Sequence, residues 1–215
     1  MNLSIYVDKK MDYLAKAEGS LIHYNNGERD ITLPYGLYLQ NKSKLYKYIV
    51  ELGESEGITT PTNSWSKDDI SIVNELVEKS AYGVRQLAKE FYMEFMRKAH
   101  LDLYPDACKD VIYSLYINSP KYSTMAVQRS IRNMVKSKRL DLNLHETSIE
   151  DGGWGTKTRK SLELIMKQNK EFSWYFEEAI INNMEDIYEE IADTDSEKKN
   201  LKGWKNRVRY FQSRA

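Results

Sequence analysis

Apolar residues recur every three or four positions along most of the chain, a spacing that predicts amphipathic helices. In the first segment Ile5, Met11 and Leu14 fall at roughly helical spacing. The pattern stops at Gly19, a residue suited to the left-handed conformation in which many helices end. The same periodicity predicts further helices over residues 41–52, 66–77, 84–99, 105–116, 125–135, 156–166 and 171–192. A basic segment follows over 198–214.

One stretch departs from helical spacing. The polar residues Asn25 to Gly27 have turn chemistry, and apolar residues then alternate from Ile31 to Leu37. This pattern predicts a short strand or a small β-hairpin near residues 24–39. The fold class predicted from the pattern is therefore mainly α.

Composition narrows the classes of partner and site. The 215 residues include 32 basic and 32 acidic ones, so the formal net charge of +0 argues against nucleic acid as the main partner. Cys108 is the only cysteine, which excludes an internal disulfide and a cysteine-cluster metal site. The three histidines are isolated and form no zinc-peptidase motif. We expect no metal and no cofactor.

The chain contains no apolar run of the roughly 18 residues that a membrane span needs. Its N-terminus lacks the apolar core of a secretory signal peptide. We therefore expect synthesis in the cytoplasm, with any action outside it depending on release or export by another system. The sequence gives no indication of oligomeric state.

Glu18 is the residue whose position suggests chemistry. It is predicted on the last turn of the first helix, where the helix dipole disfavours a negative charge. If the fold also desolvates this carboxylate, its pKa rises, as a general acid requires near neutral pH. The alternative is a solvated glutamate at a helix end, without a chemical role.

The stretch from Glu18 to Leu37 resembles the start of glycoside hydrolase family 108, the phage and bacterial N-acetylmuramidases. Those proteins begin with a helix ending in Glu-Gly-Gly, followed by an Asx/Gly-rich loop and a Thr-x-x-Gly-Ile-like segment. Glu18 and Thr32 match the acid and the threonine. The chain departs from the pattern at Ser20, which replaces the second glycine, and at residues 29–31, which replace a Gly-Gly pair. It also has one extra residue between Thr32 and Gly36.

Other segments are similar to the same family, in the same order along the chain. Residues 91–119 resemble a helix pair that ends in Asn-Ser near the cleft, here at Asn118. Gln128 is similar to the glutamine of a Leu-Gln-x-Ala-Leu helix. Residues 151–158, DGGWGTKT, and residues 203–207 resemble signatures of the C-terminal peptidoglycan-binding part. By its residues, DGGWGTKT predicts a tight turn followed by a helix capped by Thr156.

The resemblance implies a lysozyme-like helical domain with a small β-hairpin over residues 1–145, and a C-terminal helical lobe over 146–215. The apolar residues of that lobe lead us to expect that it packs on the first domain. The implied activity is hydrolysis of the β-1,4 bond between N-acetylmuramic acid and N-acetylglucosamine in the glycan strands of peptidoglycan. The implied site consists of Glu18 as general acid, Thr32 with Asp30 or Glu28 as assisting groups, and Tyr35, Gly36, Asn118 and Gln128 as substrate contacts.

Two alternatives stay open. If a second carboxylate lies about 5 Å from Glu18, a retaining mechanism is expected, and otherwise water attacks with inversion. The second alternative is a different class of protein, a cell-wall-binding, secretion or phage-tail accessory protein on a degenerate lysozyme scaffold. The altered residues Ser20 and 29–31 motivate it, since a fold does not by itself imply an activity.

Overall fold

The computed structural model describes residues 2–24, 31–38, 43–137, 150–167, 170–192 and 198–213. These residues are mainly helical, with one small antiparallel sheet, as the sequence predicts. Internal contacts group the chain into two units, Met1–Arg97 and Lys98–Ala215. This division falls earlier in the chain than the boundary predicted at residue 145. The reason is that the helix after Pro120 packs with helices that follow residue 150.

The first unit begins and ends with helices that flank the sheet. Its elements are α1 (Leu3–Ala17), β1 (His23–Tyr24), β2 (Ile31–Leu33), β3 (Leu37–Tyr38), α2 (Lys44–Ser55), α3 (Lys67–Lys79) and α4 (Ala81–Lys98). Polar side chains fix several helix starts. Ser66 and Asp69 form a capping box at α3, in which each side chain accepts a hydrogen bond from the other residue's backbone N–H.

The sheet has three strands in the order β1-β2-β3, where the sequence predicts a hairpin. Thr32 is paired with His23 on one side and with Tyr38 on the other. The alternating run breaks after Leu33 because Pro34–Gly36 forms a 3₁₀ turn, which we call the Pro34–Gly36 turn. Proline has no N–H to donate to a strand, and the next two residues have positive φ angles.

Helices α1 and α4 run in opposite directions side by side. Asp8 pairs with Lys89 at 2.6 Å, and Asp12, one turn later, pairs with Arg85 at 2.8 Å. Both carboxylates are exposed, so each pair is worth at most about 1 kcal/mol. The spacing of the two pairs shows the register of the two helices. The buried residues of this unit include Val7, Met11, Leu33, Leu45, Ile49, Val73 and Ala88.

The second unit is organised around its longest helix. Its elements are α5 (Lys109–Asn118), α6 (Pro120–Lys136), α7 (Thr156–Met166), α8 (Lys170–Ala192) and α9 (Lys198–Gln212). Helix α8 packs against all four of the others. Its buried face repeats at helical spacing, with Phe176, Ile180, Met184, Ile187 and Tyr188. The segment after residue 150 is therefore packed on α5 and α6.

Polar and aromatic contacts join α8 to its neighbours. Asn183 donates a buried hydrogen bond to Ser130 of α6 at 2.9 Å. Tyr188 stacks on Trp204 of α9 with ring centroids 5.0 Å apart, so Trp204 belongs to the core. Helices α8 and α9 also form an ion pair between Glu189 and Lys205 at 2.6 Å. Trp174 is an exception to the apolar packing, because 63% of it is exposed.

Within the described residues, no helix combines the length and the apolar composition needed to cross a membrane.

Candidate functional site

Glu18 lies at the C-terminal end of α1, one residue beyond the helix. Its N–H donates to the carbonyl of Leu14 at 2.8 Å, and Gly19 follows in the left-handed conformation with φ of +82°. The helix therefore ends where the sequence predicts. The Glu18 side chain is exposed to solvent. The carboxylate is solvated, as in the alternative of a helix-end glutamate without a chemical role, and any desolvation of it would have to come from a bound ligand.

The side chain of Glu18 lies across Gly36 in the Pro34–Gly36 turn. A Cβ atom added at Gly36 would be 2.9 Å from Glu18 Cγ and 3.3 Å from its Cδ. The φ of Gly36 is +73°, which also favours glycine. The fold thus brings together the predicted acid and a predicted substrate contact. Because Gly36 has no side chain, the side chain of Glu18 occupies the space that a Cβ at position 36 would fill.

Tyr35 holds the Pro34–Gly36 turn in place through its backbone. Its backbone is left-handed, with φ of 65° and ψ of 27°, at a cost of about 1–2 kcal/mol for a residue other than glycine. Its N–H donates to the carbonyl of Gly19 at 2.9 Å, and its own carbonyl accepts a hydrogen bond from the Tyr92 hydroxyl at 2.8 Å. The ring is buried, only 5% exposed. Tyr35 was predicted to contact substrate, but a buried ring offers no face to a glycan, and its role here is structural.

Of the predicted assisting groups, the structure describes only Thr32. Thr32 lies on β2, and its side chain is buried, 3% exposed. A hydroxyl that positions a water for attack must be reachable by that water, so this role for Thr32 requires β2 to become more open than it is here. Asp30 and Glu28 lie outside the described residues.

A side chain added at Gly36 would clash with Glu18, and this leads to a prediction. Gly36→Ala should lower the free energy of unfolding by about 2 kcal/mol, since it adds a steric clash with Glu18 to the cost of a positive φ. Gly57→Ala is the matched control, because Gly57 has φ of +78° and nothing within 4 Å of its added Cβ. Urea denaturation of both variants measures the difference. Equal losses would show that the Glu18 side chain moves away from Gly36 at no cost.

Gln128 lies in the second unit, on α6, and is completely buried. Its amide nitrogen donates to Asp151 Oδ1 at 3.0 Å and to the carbonyl of Gly153 at 2.9 Å. Its amide oxygen accepts from the N–H groups of Asp151 and Gly152 at 3.1 and 3.0 Å. Gln128 was predicted to contact substrate, but its polar atoms are used by the loop. It fastens residues 151–153 to α6.

The loop held by Gln128 is tightly built. Asp151 Oδ1 accepts from Gly153 N–H at 2.8 Å, and this bond, followed by the one from Gln128, lowers the pKa of the Asp151 carboxyl. Gly152 has φ of +72°, and a Cβ there would lie 2.6 Å from Lys121 Cγ. Helix α7 begins at Thr156 with Gly155 as its N-cap, so the prediction that Thr156 caps the helix is wrong.

Trp154, in the same loop, stacks on His100 with ring centroids 4.1 Å apart and planes within 9°. His100 has a left-handed backbone, with φ of 54°. Burial lowers the pKa of His100, with Arg159 acting in the same direction and Asp102 opposing it.

This lowered pKa predicts a pH dependence of stability. The unfolded chain, with a histidine pKa of about 6.5, takes up the proton more readily than the folded chain. The stabilisation is therefore present above about pH 6.5 and is lost as the pH falls through the lower pKa of the folded state. Urea midpoints at about pH 7.5 and about pH 5.5 measure the loss. His100→Asn, which tolerates a left-handed backbone, should lose less between these two values, and an equal loss would contradict the assignment.

The remaining predicted contact, Asn118, is the last residue of α5, and its side chain lies outside the described part of the structure. The predicted site residues thus divide between the units. Glu18, Thr32, Tyr35 and Gly36 belong to the first, and Asn118 and Gln128 to the second.

An open groove of about 560 Å³ lies elsewhere in the first unit, among α1, α2 and α4. Lys44 and Glu90 form an ion pair in it at 2.8 Å, beside Phe91 and Arg97. Glu18 does not line this groove. Among the described residues, no group of three or more His, Cys, Asp or Glu side chains is placed to hold a metal ion.

Sequence analysis missed Tyr92 and Arg85. The Tyr92 hydroxyl donates to the Tyr35 carbonyl, and Arg85 donates to Asp12 of α1. Both lie on α4, far from Tyr35 in sequence, and the helical periodicity of α4 gives no signal for either contact.

Comparison of the chain with protein-family models, with curated proteins and with solved structures found no match.

Proposed function

We propose that this chain hydrolyses peptidoglycan, cleaving the β-1,4 bond between N-acetylmuramic acid and N-acetylglucosamine with Glu18 as general acid. One observation carries the proposal. Unlike an ordinary glutamate at a helix end, Glu18 places its side chain against Gly36, in the turn between two strands of a small antiparallel sheet, while its carboxylate stays accessible to a ligand. The motifs that resemble glycoside hydrolase family 108 supply the substrate and the lysozyme-like fold.

The chemistry asked of Glu18 is the transfer of one proton. It would protonate the glycosidic oxygen as the bond to that oxygen breaks, and positive charge would develop on the sugar ring. Water then completes hydrolysis, with Thr32, Asp30 or Glu28 as the groups proposed to assist. Retaining enzymes hold their two carboxyl groups about 5–5.5 Å apart, whereas inverting enzymes need about 6.5–9.5 Å. The anomer first formed, observed by NMR, distinguishes the two routes.

The experiment uses purified peptidoglycan as substrate. The expected result is the appearance of new reducing ends. Borohydride converts them to muramitol, because cleavage of this bond frees the anomeric carbon of N-acetylmuramic acid. Glucosaminitol in place of muramitol would contradict the bond assignment. No new reducing ends from the folded protein would contradict the activity.

The second candidate is a wall-binding or accessory protein on the same scaffold. It is favoured by the burial of Thr32 and by the loop that occupies the polar atoms of Gln128. This candidate predicts that the protein sediments with insoluble peptidoglycan and releases no reducing ends. In either case we propose that the protein reaches the wall after synthesis in the cytoplasm, through release or export by another system.

A further inference from the structure

We propose that Tyr92 is a positioning residue for Glu18, acting through the carbonyl of Tyr35. Its effect on turnover rests on the proposed function. Its effect on the Pro34–Gly36 turn does not, and can be measured separately.

The turn needs to be held because its backbone is unfavourable. Tyr35 and Gly36 have consecutive positive φ angles of 65° and 73°. Glycine adopts such an angle readily, but tyrosine does so only where its surroundings impose it. A turn of this kind relaxes unless specific bonds fix it.

Two hydrogen bonds fix Tyr35 at its backbone. The N–H donates to the carbonyl of Gly19, the residue directly after Glu18. The carbonyl accepts from the Tyr92 hydroxyl in a buried bond of 2.8 Å. The first bond ties the turn to the end of α1, and the second ties it to α4. The two are therefore separate anchors on one residue.

Within this anchored turn, Gly36 is the residue that contacts the side chain of Glu18. The Cβ, Cγ and Cδ atoms of Glu18 would all be within 3.3 Å of a Cβ at Gly36, so even a small shift of the turn changes the space under the carboxylate. Proton transfer depends steeply on the placement of the acid. The Tyr92 hydroxyl thus influences the orientation of the Glu18 carboxylate through Tyr35 and Gly36.

The test is Tyr92→Phe, which removes one hydroxyl and keeps the ring. Tyr82→Phe is the matched control, because it is the same change on the same helix at a residue that is 79% exposed. On a soluble glycan strand, Tyr92→Phe should lower kcat about 10-fold while KM stays within about 2-fold, since a misplaced acid affects the transition state more than binding. Tyr82→Phe should leave both unchanged. Unchanged kcat in Tyr92→Phe, or a rise in KM alone, would overturn the positioning role.

Hydrogen exchange of the Tyr35 amide gives a readout that needs no enzyme activity. We expect the amide to be protected in the unaltered chain and to exchange about 10-fold faster in Tyr92→Phe than in Tyr82→Phe. An unprotected amide in the unaltered chain would overturn the proposal even if Tyr92→Phe failed to fold. If the unaltered chain released no reducing ends but the exchange result held, the proposed function would fail while the anchoring of the turn stood.

Discussion

Glu18→Gln is expected to reduce the release of reducing ends from peptidoglycan by about 10²–10⁴-fold, the usual contribution of a general acid. Glutamine keeps the shape of the side chain against Gly36 but has no proton of suitable acidity to give. Because Glu18 is exposed at the end of α1, the substitution should leave the unfolding free energy within about 0.5 kcal/mol of its original value.

The chain offers a close control for this change. Glu56 is also an exposed glutamate at a helix C-cap, and Gly57 follows it with φ of +78°, as Gly19 follows Glu18 with φ of +82°. Glu56→Gln should leave the hydrolysis rate unchanged. If both variants kept full activity, Glu18 would not be the acid. If both lost activity to the same degree, the loss would reflect a general effect of helix-end charge.

Gln128→Leu is expected to lower the free energy of unfolding by about 3 kcal/mol or more, because it leaves several polar groups of the loop without their buried partner. Leucine has a similar volume, so the loss comes from hydrogen bonding and not from a cavity. Asp151, Gly152 and Gly153 would each lose a bond to the amide of Gln128.

Gln212→Leu, at an exposed position on α9, is the control and should change stability by less than about 0.5 kcal/mol. Urea denaturation followed by circular dichroism measures both variants. A loss below about 1 kcal/mol in Gln128→Leu would mean that water replaces the amide and that the loop is not fastened by this residue.

Glu18 and Glu56 show where sequence analysis ends. The sequence pattern places Glu18 at a helix end, whereas the predicted second helix stops at residue 52, before Glu56. In the structure both are C-cap residues, and each is followed by a glycine with a positive φ. A Cβ at Gly36 would meet Glu18, whereas a Cβ at Gly57 would meet nothing within 4 Å. That difference depends on pairing between β2 and β3, a tertiary feature that neither helix end encodes.

The substrate contacts predicted at Tyr35 and Gln128 have a common origin. Alternation puts Tyr35 on the same apolar face as Ile31 and Leu37, and all three are buried. The substrate contact predicted at Tyr35 rests on the family resemblance alone. The substrate contact predicted at Gln128 also rests on the family resemblance, whereas a buried polar side chain needs a hydrogen-bond partner within the fold. The partner is the loop at Asp151, and the sequence separation between them conceals it.

The central claim is that Glu18 gives a proton to the leaving oxygen, and the leaving group tests this directly. An aryl glycoside whose leaving group is a stable anion, such as dinitrophenolate, needs no such proton. The measurement is the rate of Glu18→Gln relative to the unaltered chain on this substrate and on a glycan strand. A general acid predicts a loss of about 10²–10⁴-fold on the glycan strand and of less than about 10-fold on the aryl glycoside. The same large loss on both substrates would contradict the claim, because Glu18 would then contribute something other than a proton.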